Sequence, residues 1–402
     1  MKIGIVTTWF ERGAAYVSRQ FMDVLQKTDE VFIYARGGET YGKDDPKWDL
    51  PNVHWGVWSA AHRRFLNSTY IEKKDFEKWL KDKGIELVLF NEQQWFLPVL
   101  WCKDAGVKAV AYVDYYTEET IPFFDAYDAL ICNTKRHAFA FRNHHHCNYI
   151  KWGTDIQLYK PNHDVHDKLT FFHSAGMAPV RKGTDLLIRA FYQCPDRRKA
   201  KLIIHTQRSL GETISDVESL ISDLLSEGSI EIVEKTISAP GLYEKGDVYV
   251  YPSRLDGIGL TLMEAIASGM AVVTVDNPPM NEFVEEDFGQ TCRVDYQYSR
   301  KDGYYWPMCV ADISSLAEIL NKFITGVYDL DKMKRAARDY AENELDFSKN
   351  CSVLHTLLQG TPISPLTSKT RRDIEKVFGI SKYKRFVIGV YSIARFLLRK
   401  QL

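Results

Sequence analysis

The chain has 402 residues, 45% of them hydrophobic and 26% charged, with a formal net charge of -1. That length implies about two or three domains, and the composition is that of a folded protein rather than a disordered one. Near-neutrality excludes a generalised electrostatic grip on nucleic acid, and no run reaches the roughly 18 apolar residues of a membrane-crossing helix.

The opening run Met1–Val6 turns polar too soon for a secretory leader and reads as the start of a first strand. Short apolar runs then alternate with helix-period segments: Ile3–Thr7, Val31–Ala35, Leu87–Phe90, Val107–Val113 and Asp128–Cys132. A second series follows at Leu169–His173, Leu202–Thr206, Ile230–Val233, Val248–Tyr251 and Ala271–Val275. Continuous runs of this kind suit parallel strands covered on both faces, and the alternation implies βαβ units. The polar stretch Lys160-Pro161-Asn162-His163-Asp164 separates the two series as a linker. The expected architecture is α/β: a Rossmann-like domain over 1–163, a second over 164–360, and an extension over 361–402. Two such domains facing each other would hold a ligand in the cleft where their strands end. The seven cysteines (Cys102, Cys132, Cys147, Cys194, Cys292, Cys309, Cys351) are odd in number and scattered, without a Cys-x-x-Cys pair. They suit reduced thiols and a cytoplasmic setting.

The extension begins with a helix-breaking stretch, Gly360–Pro365. From Ser381 to Leu402 there are six basic residues (Lys382, Lys384, Arg385, Arg395, Arg399, Lys400) and no acid. Tyr383, Val387, Val390, Ala394 and Leu397 form an apolar stripe at helical spacing. The stretch 381–402 is expected to dock on an anionic membrane surface, or else to pack across the first domain as a structural crossover.

The chemistry concentrates in Tyr251–Ala265. A strand ends at Pro252, a glycine-bearing loop follows, and a helix begins near Leu260. Backbone N–H groups at such a helix start point outward without partners, and the helix dipole favours an anion there. Gly259 lets a diphosphate approach the backbone. Asp256 and Glu264, with seven residues between them, flank this anion site, so one carboxylate can reach a sugar and the other a ribose. A surface loop followed by a solvated helix glutamate would read the same way.

The segment Pro252-Ser253-x-x-Asp256-Gly257-x-Gly259-Leu260-x-x-x-Glu264-Ala265, followed by Ala267–Val273, resembles the donor-site signature of retaining glycosyltransferases of family 4. Gly176–Gly183, with Lys182, resembles that family's Gly-Arg-…-Lys-Gly loop. Tyr149–Asp155 resembles its interdomain Asn-Gly-Val-Asp segment, with Trp152 in place of asparagine. Asn277–Glu282 resembles its Gly-x-x-Glu turn. The resemblance covers roughly residues 1–360 and implies the GT-B fold, a nucleotide-sugar donor, a glycan or lipid-linked acceptor, and transfer with retention. It further implies that Lys182 pairs with the diphosphate, that Gly259, Leu260 and Thr261 cradle the β-phosphate, that Glu264 holds the ribose and that Asp256 touches the transferred sugar. A fixed cation and oriented amides would then stabilise the leaving group without a metal or other cofactor.

Several positions depart from the family pattern. Its arginine beside the phosphates is Met177, with Arg181 available in the same loop, and its first-domain histidine is Asp114. Asp114 is expected to take the acceptor's proton or bind sugar hydroxyls, or to be a loop or helix-capping carboxylate. Of the glycine-rich first loop only Gly13 is kept, within Thr7–Ala15. The rival readings are a nucleotide-sugar epimerase of similar architecture and a catalytically silent binding subunit. His144-His145-His146-Cys147 is not expected to hold a metal, since neighbours along an extended segment point opposite ways. The aromatic stretch Tyr298–Trp306 is read as loop packing, with a glycan-lining role as the alternative.

Overall fold

A computed structural model describes residues 1–37, 42–57, 66–161, 166–381 and 386–391. The chain divides into two units. Unit 1 comprises Met1–Asn133, His137–Ile150 and Cys351–Leu402; unit 2 comprises Thr134–Arg136 and Lys151–Asn350. The chain thus passes to unit 2 at Ile150–Lys151 and returns at Asn350–Cys351, where the sequence suggested 163–164 and 360–361. Residues 162–165 of the expected linker lie outside the described residues.

Unit 1 is built on a parallel sheet of β1 (Lys2–Thr7), β2 (Glu30–Ala35), β3 (Val53–Trp55), β4 (Leu87–Asn91), β5 (Lys108–Val113), β6 (Ala129–Cys132) and β7 (Cys147–Tyr149). Their order is β3-β2-β1-β4-β5-β6-β7, so the winding reverses between β1 and β4. Ile3, Ile5, Leu87, Leu89, Val110 and Ile131 are wholly buried, as expected of strands covered on both faces. The helix Lys73–Lys83 crosses β1 so closely that a Cβ on Gly4 would lie 2.3 Å from the Trp79 ring.

The last segment of the chain belongs to this unit. His355 pairs with Asp29 at 2.7 Å, and Asp128 accepts from the Ser364 backbone N–H at 2.6 Å. Helix Ser368–Phe378, capped by the Thr367 hydroxyl, lays Phe378 against Phe96 and Phe123, each with ring centroids 5.4 Å apart. Of the basic tail, residues 386–391 are helical, with Phe386 and Val390 exposed. The remainder, 382–385 and 392–402, lies outside the described residues. No helix among the described residues is long and apolar enough to cross a membrane.

Unit 2 holds a parallel sheet of β8 (Leu169–Gly176), β9 (Ala200–Thr206), β10 (Ile230–Glu234), β11 (Val248–Tyr251), β12 (Ala271–Val275) and β13 (Gly289–Cys292). The order is β10-β9-β8-β11-β12-β13, reversing between β8 and β11. A separate antiparallel hairpin joins β14 (Val294–Tyr298) to β15 (Met308–Ala311). The entering segment is sealed onto this unit: a Cβ on Gly153 would lie 2.2 Å from the Leu345 carbonyl oxygen, and Trp152 packs on Phe347 at 4.9 Å. Arg338 completes the seal, donating to the Ile156, Tyr159 and Ala267 carbonyls.

Candidate functional site

In a doubly wound sheet the ends of the two strands flanking the reversal leave a crevice, because their connections depart to opposite faces. In unit 2 those strands are β8 and β11, and the loops that follow them are the two motif-bearing segments. The loop after β8 turns at Pro179–Lys182 and stops at Gly183, whose φ is +73°. A Cβ on Gly183 would lie 2.0 Å from the Pro252 carbonyl oxygen, so the two loops touch where no side chain fits. Arg254 fastens them with a two-pronged, buried pair to Asp185, both contacts 2.6 Å, and its backbone N–H donates to the Arg181 carbonyl at 2.8 Å.

This pinning brings Lys182, Arg181 and Asp256 together. Lys182 Nζ donates to Asp256 Oδ2 and to the Tyr251 hydroxyl, and that hydroxyl donates to the same carboxylate oxygen. Arg181 reaches the Leu255 carbonyl at 2.8 Å and Asp256 Oδ2 at 3.4 Å. Asp256 Oδ1 accepts from the Gly257 N–H at 2.9 Å. Burial by itself would raise the Asp256 pKa, but the Lys182 and Arg181 charges outweigh it and hold the carboxyl well below the usual range. Burial pulls Lys182 below an ordinary lysine, with Asp256 opposing. Met177, at the position of the resembled family's arginine, is exposed, and Arg181 of the same loop lies beside Asp256.

Gly259, at φ +80°, opens the helix Leu260–Ala267, so Leu260 and Thr261 form its first turn, where N–H groups lack intrahelical acceptors. Glu264 lies one turn further on. The Tyr243 hydroxyl donates to it, and Tyr159 bonds it as well. Burial raises the Glu264 pKa, with both phenols and the Lys182 charge opposing.

Two residues from an excursion of the chain complete this region. Arg136, nearly buried, donates to the Pro278 carbonyl at 2.6 Å and to the Asp256 carbonyl at 2.8 Å. Its guanidinium lies over the Trp306 ring, 5.1 Å from the centroid. Glu282 accepts from the Lys135 and Arg136 backbone N–H groups at 2.6 and 3.0 Å, which gives the glutamate of the Asn277–Glu282 turn a definite task.

Unit 1, taken by itself, places Gly13 at the start of the helix Gly13–Leu25, after β1, and Asp114 directly after β5. A Cβ on Gly13 would meet nothing within 4 Å. Asp114 is hydrogen-bonded to Glu92, which follows β4 in a left-handed conformation at φ +53°. Arg12 pairs with Glu92 at 3.7 Å. Burial first, then the Glu92 charge, lifts the Asp114 pKa well above the ordinary range against the pull of Arg12 and Arg36. Asp114 thus faces a neighbouring acid, Glu92, in the loop after β5 rather than capping a helix.

The structure thus gathers Arg181, Lys182, Asp256, Gly259, Leu260, Thr261 and Glu264 in unit 2, and sets Gly13 and Asp114 in unit 1. Sequence reasoning missed Tyr251, Tyr243, Tyr159, Arg136 and Glu92. The histidine run stacks on itself, with the His144 and His145 rings 4.1 Å apart, and burial lowers the His144 pKa to about 4. Among the described residues no group of three or more His, Cys, Asp or Glu side chains is arranged to hold a metal ion.

Residues 168–323 match the family model described as Glycosyl transferases group 1. That match takes in every strand of the two unit 2 sheets. A lipopolysaccharide core biosynthesis mannosyltransferase, LpcC of Rhizobium leguminosarum bv. viciae, is 24% identical over 243 residues, or 57% of this chain. The chain spans about 65% of that curated relative's length. Among solved structures, Anabaena Alr3699/HepE in complex with UDP and glucose superposes with a TM-score of 0.66 at 17% identity, covering 89% of this chain and 99% of that one. WaaG, a glycosyltransferase involved in lipopolysaccharide biosynthesis, gives 0.61 at 15% identity over 88% of this chain and 99% of its own. The fold is GT-B.

Proposed function

We propose that the protein is a glycosyltransferase that moves a sugar from a nucleotide-diphosphate donor to a glycan or lipid-linked acceptor, with retention and without a metal. The observation that carries this reading is the Lys182–Asp256 pair, with Arg181 beside it and the Gly259-led helix start behind it, at the strand reversal of unit 2. Cleaving a sugar–diphosphate bond builds negative charge on the leaving phosphate. A buried ammonium, a guanidinium and the first amides of a helix start would stabilise that charge without reorganising. Glu264, gripped by two phenols, is pre-oriented to accept ribose hydroxyls, and Asp256 is assigned to the transferred sugar. Asp114, hydrogen-bonded to Glu92, is assigned to the acceptor side, where it binds sugar hydroxyls.

Retention rests on the family resemblance. The lipopolysaccharide relative supports a glycan or lipid-linked acceptor, and the basic 381–402 segment supports peripheral docking on the cytoplasmic face of a membrane. The direct test is calorimetry with a panel of nucleoside diphosphates, followed by Glu264→Ala against the best binder. Loss of a charge-assisted hydrogen bond should cost about 1.5–3 kcal/mol of affinity. Unchanged affinity in the folded variant would remove Glu264 from the site. Mass analysis of the products separates transfer, which joins donor sugar to acceptor, from epimerisation, which leaves the donor's mass unchanged.

A further inference from the structure

The β14–β15 hairpin stands outside the six-stranded sheet and is not consumed by the donor site. Its connecting stretch Tyr298–Trp306 reads in the sequence as loop packing, with a glycan-lining role as the alternative, and three tyrosines of the hairpin are exposed. Tyr296 is 56% exposed, Tyr298 40% and Tyr305 39%, while only Tyr304 in this stretch is buried. Tyr296 and Tyr298 alternate along β14 and so share one face, with ring centroids 6.1 Å apart and planes 40° from parallel. Tyr305 meets Trp306 edge to face at 5.1 Å.

The chemistry of this surface selects among occupants. Its exposed large hydrophobic side chains are all tyrosines, with no exposed aliphatic residue between Val294 and Ala311, unlike a face made for apolar protein packing. Its formal charges nearly cancel: Arg293, Arg300 and Lys301 against Asp295 and Asp302. Arg293 and Arg300 are moreover already paired with Asp312 and Asp302. A polyanion therefore finds little free charge here. Neutral, hydroxyl-rich rings fit better, because a pyranose lays its C–H face on an aromatic plane while phenolic hydroxyls bond its edge.

The hairpin is also continuous with the donor site. The Cys309 backbone N–H donates to the Arg254 carbonyl at 2.8 Å, and Gln297 donates to Asn277 at 2.9 Å. Trp306 lies under Arg136, which in turn holds the Asp256 carbonyl.

We propose that the tyrosine face of the β14–β15 hairpin is a saccharide-binding surface that holds sugar units of the acceptor chain beyond the one that receives the transferred sugar. This rests on the transferase reading above. Two variants test it, Tyr296→Ala with Tyr298→Ala and, as the conservative counterpart, Tyr296→Phe with Tyr298→Phe, each in the full chain. Saturation-transfer NMR with mannohexaose, maltohexaose and a deacylated lipopolysaccharide core oligosaccharide reports saccharide binding without any turnover. Calorimetry with the nucleoside diphosphate reports the donor site separately.

The expected result is saturation transfer to at least one oligosaccharide, reduced about tenfold or more in affinity by the alanine pair, largely kept by the phenylalanine pair, with nucleotide affinity unchanged in both. Where an acceptor supports turnover, its KM should rise with kcat held. Wild-type oligosaccharide binding in the alanine pair, or binding to none of the three probes, overturns the proposal. Loss of nucleotide binding by the wild-type protein would instead overturn the transferase reading, so the two failures are separable.

Discussion

Asp256→Asn should damage the empty protein and the chemical step while sparing nucleotide affinity. Asp256 is the carboxylate that Lys182 and Arg181 share, and the Lys182 and Asp256 side chains are only 12% and 14% exposed. Removing one partner of a buried pair typically costs about 3–5 kcal/mol, because the remaining charge stays buried without compensation. Here the cost falls toward the lower end: Lys182 is already pulled down by burial and can release its proton, and asparagine still accepts from Tyr251. A loss of about 3 kcal/mol should lower the melting temperature by roughly 6–12 °C for a domain of this size. A nucleoside diphosphate brings its own negative charge to the abandoned cations, so the variant should bind it no more weakly than wild type and gain at least as much stability from it. For wild type that addition is about 2.7 kcal/mol at a hundredfold excess over Kd. Thermal melts with and without ligand, calorimetry, and turnover with saturating donor give the three readings. Turnover at the wild-type rate with weakened nucleotide binding would refute the reasoning, since Asp256 would then face the nucleotide rather than the sugar. A melting temperature equal to wild type would refute the buried-pair argument directly.

Lys182→Ala should cut turnover by about 10²–10³ by removing a fixed cation from the developing phosphate charge, and wild-type activity should survive a chelator; a strict need for magnesium or manganese contradicts this assignment. Asp114 titrates above its ordinary value when folded, so between the unfolded and folded values the native state binds more protons. Stability from this group is therefore lost as pH rises through that window, and urea midpoints against pH should fall less steeply in Asp114→Asn; parallel curves would show that the raised pKa is not felt. The basic tail should float the chain with anionic vesicles at low salt and release it at high salt, each lysine or arginine contributing roughly 1 kcal/mol. A chain ending at Ser381, which keeps the helix packed through Phe378, should stay in solution; equal flotation of both forms removes the tail from membrane docking.

What was legible in the sequence follows from how each feature is encoded. All ten apolar runs are strands, because a strand buried on both faces must be written as an apolar run. The missed strands β3, β7, β13, β14 and β15 are edge or hairpin strands of three to five residues; β3, β7 and β14 are part-exposed or exposed throughout, and β13 and β15 are too short to stand out as apolar runs. The donor-loop residues were legible because a glycine-bearing turn and a helix start are local. Tyr159, Tyr243 and Arg136 reach Glu264 and the Asp256 carbonyl only through the topology, and no spacing along the chain announces that.

The glycines sharpen the same distinction. Gly183 is dictated by the fold, since φ +73° and the Pro252 carbonyl at 2.0 Å leave no room for a Cβ. Gly13 and Gly257 have neither constraint: no positive φ and nothing within 4 Å of a Cβ. Open space alone means little, because Gly360 at a helix end shares it. Position separates them. Gly13 follows β1 and Gly257 follows β11, each at the strand reversal of its own sheet, where a doubly wound fold receives its ligand. A glycine that the protein's own packing does not require, at the one edge where a substrate must approach the backbone, is explained by what binds there. Gly257→Ala should accordingly keep the folding stability within about 1 kcal/mol of wild type, as an unstrained change, while weakening donor binding; a variant that melts early with donor affinity intact would return Gly257 to the fold.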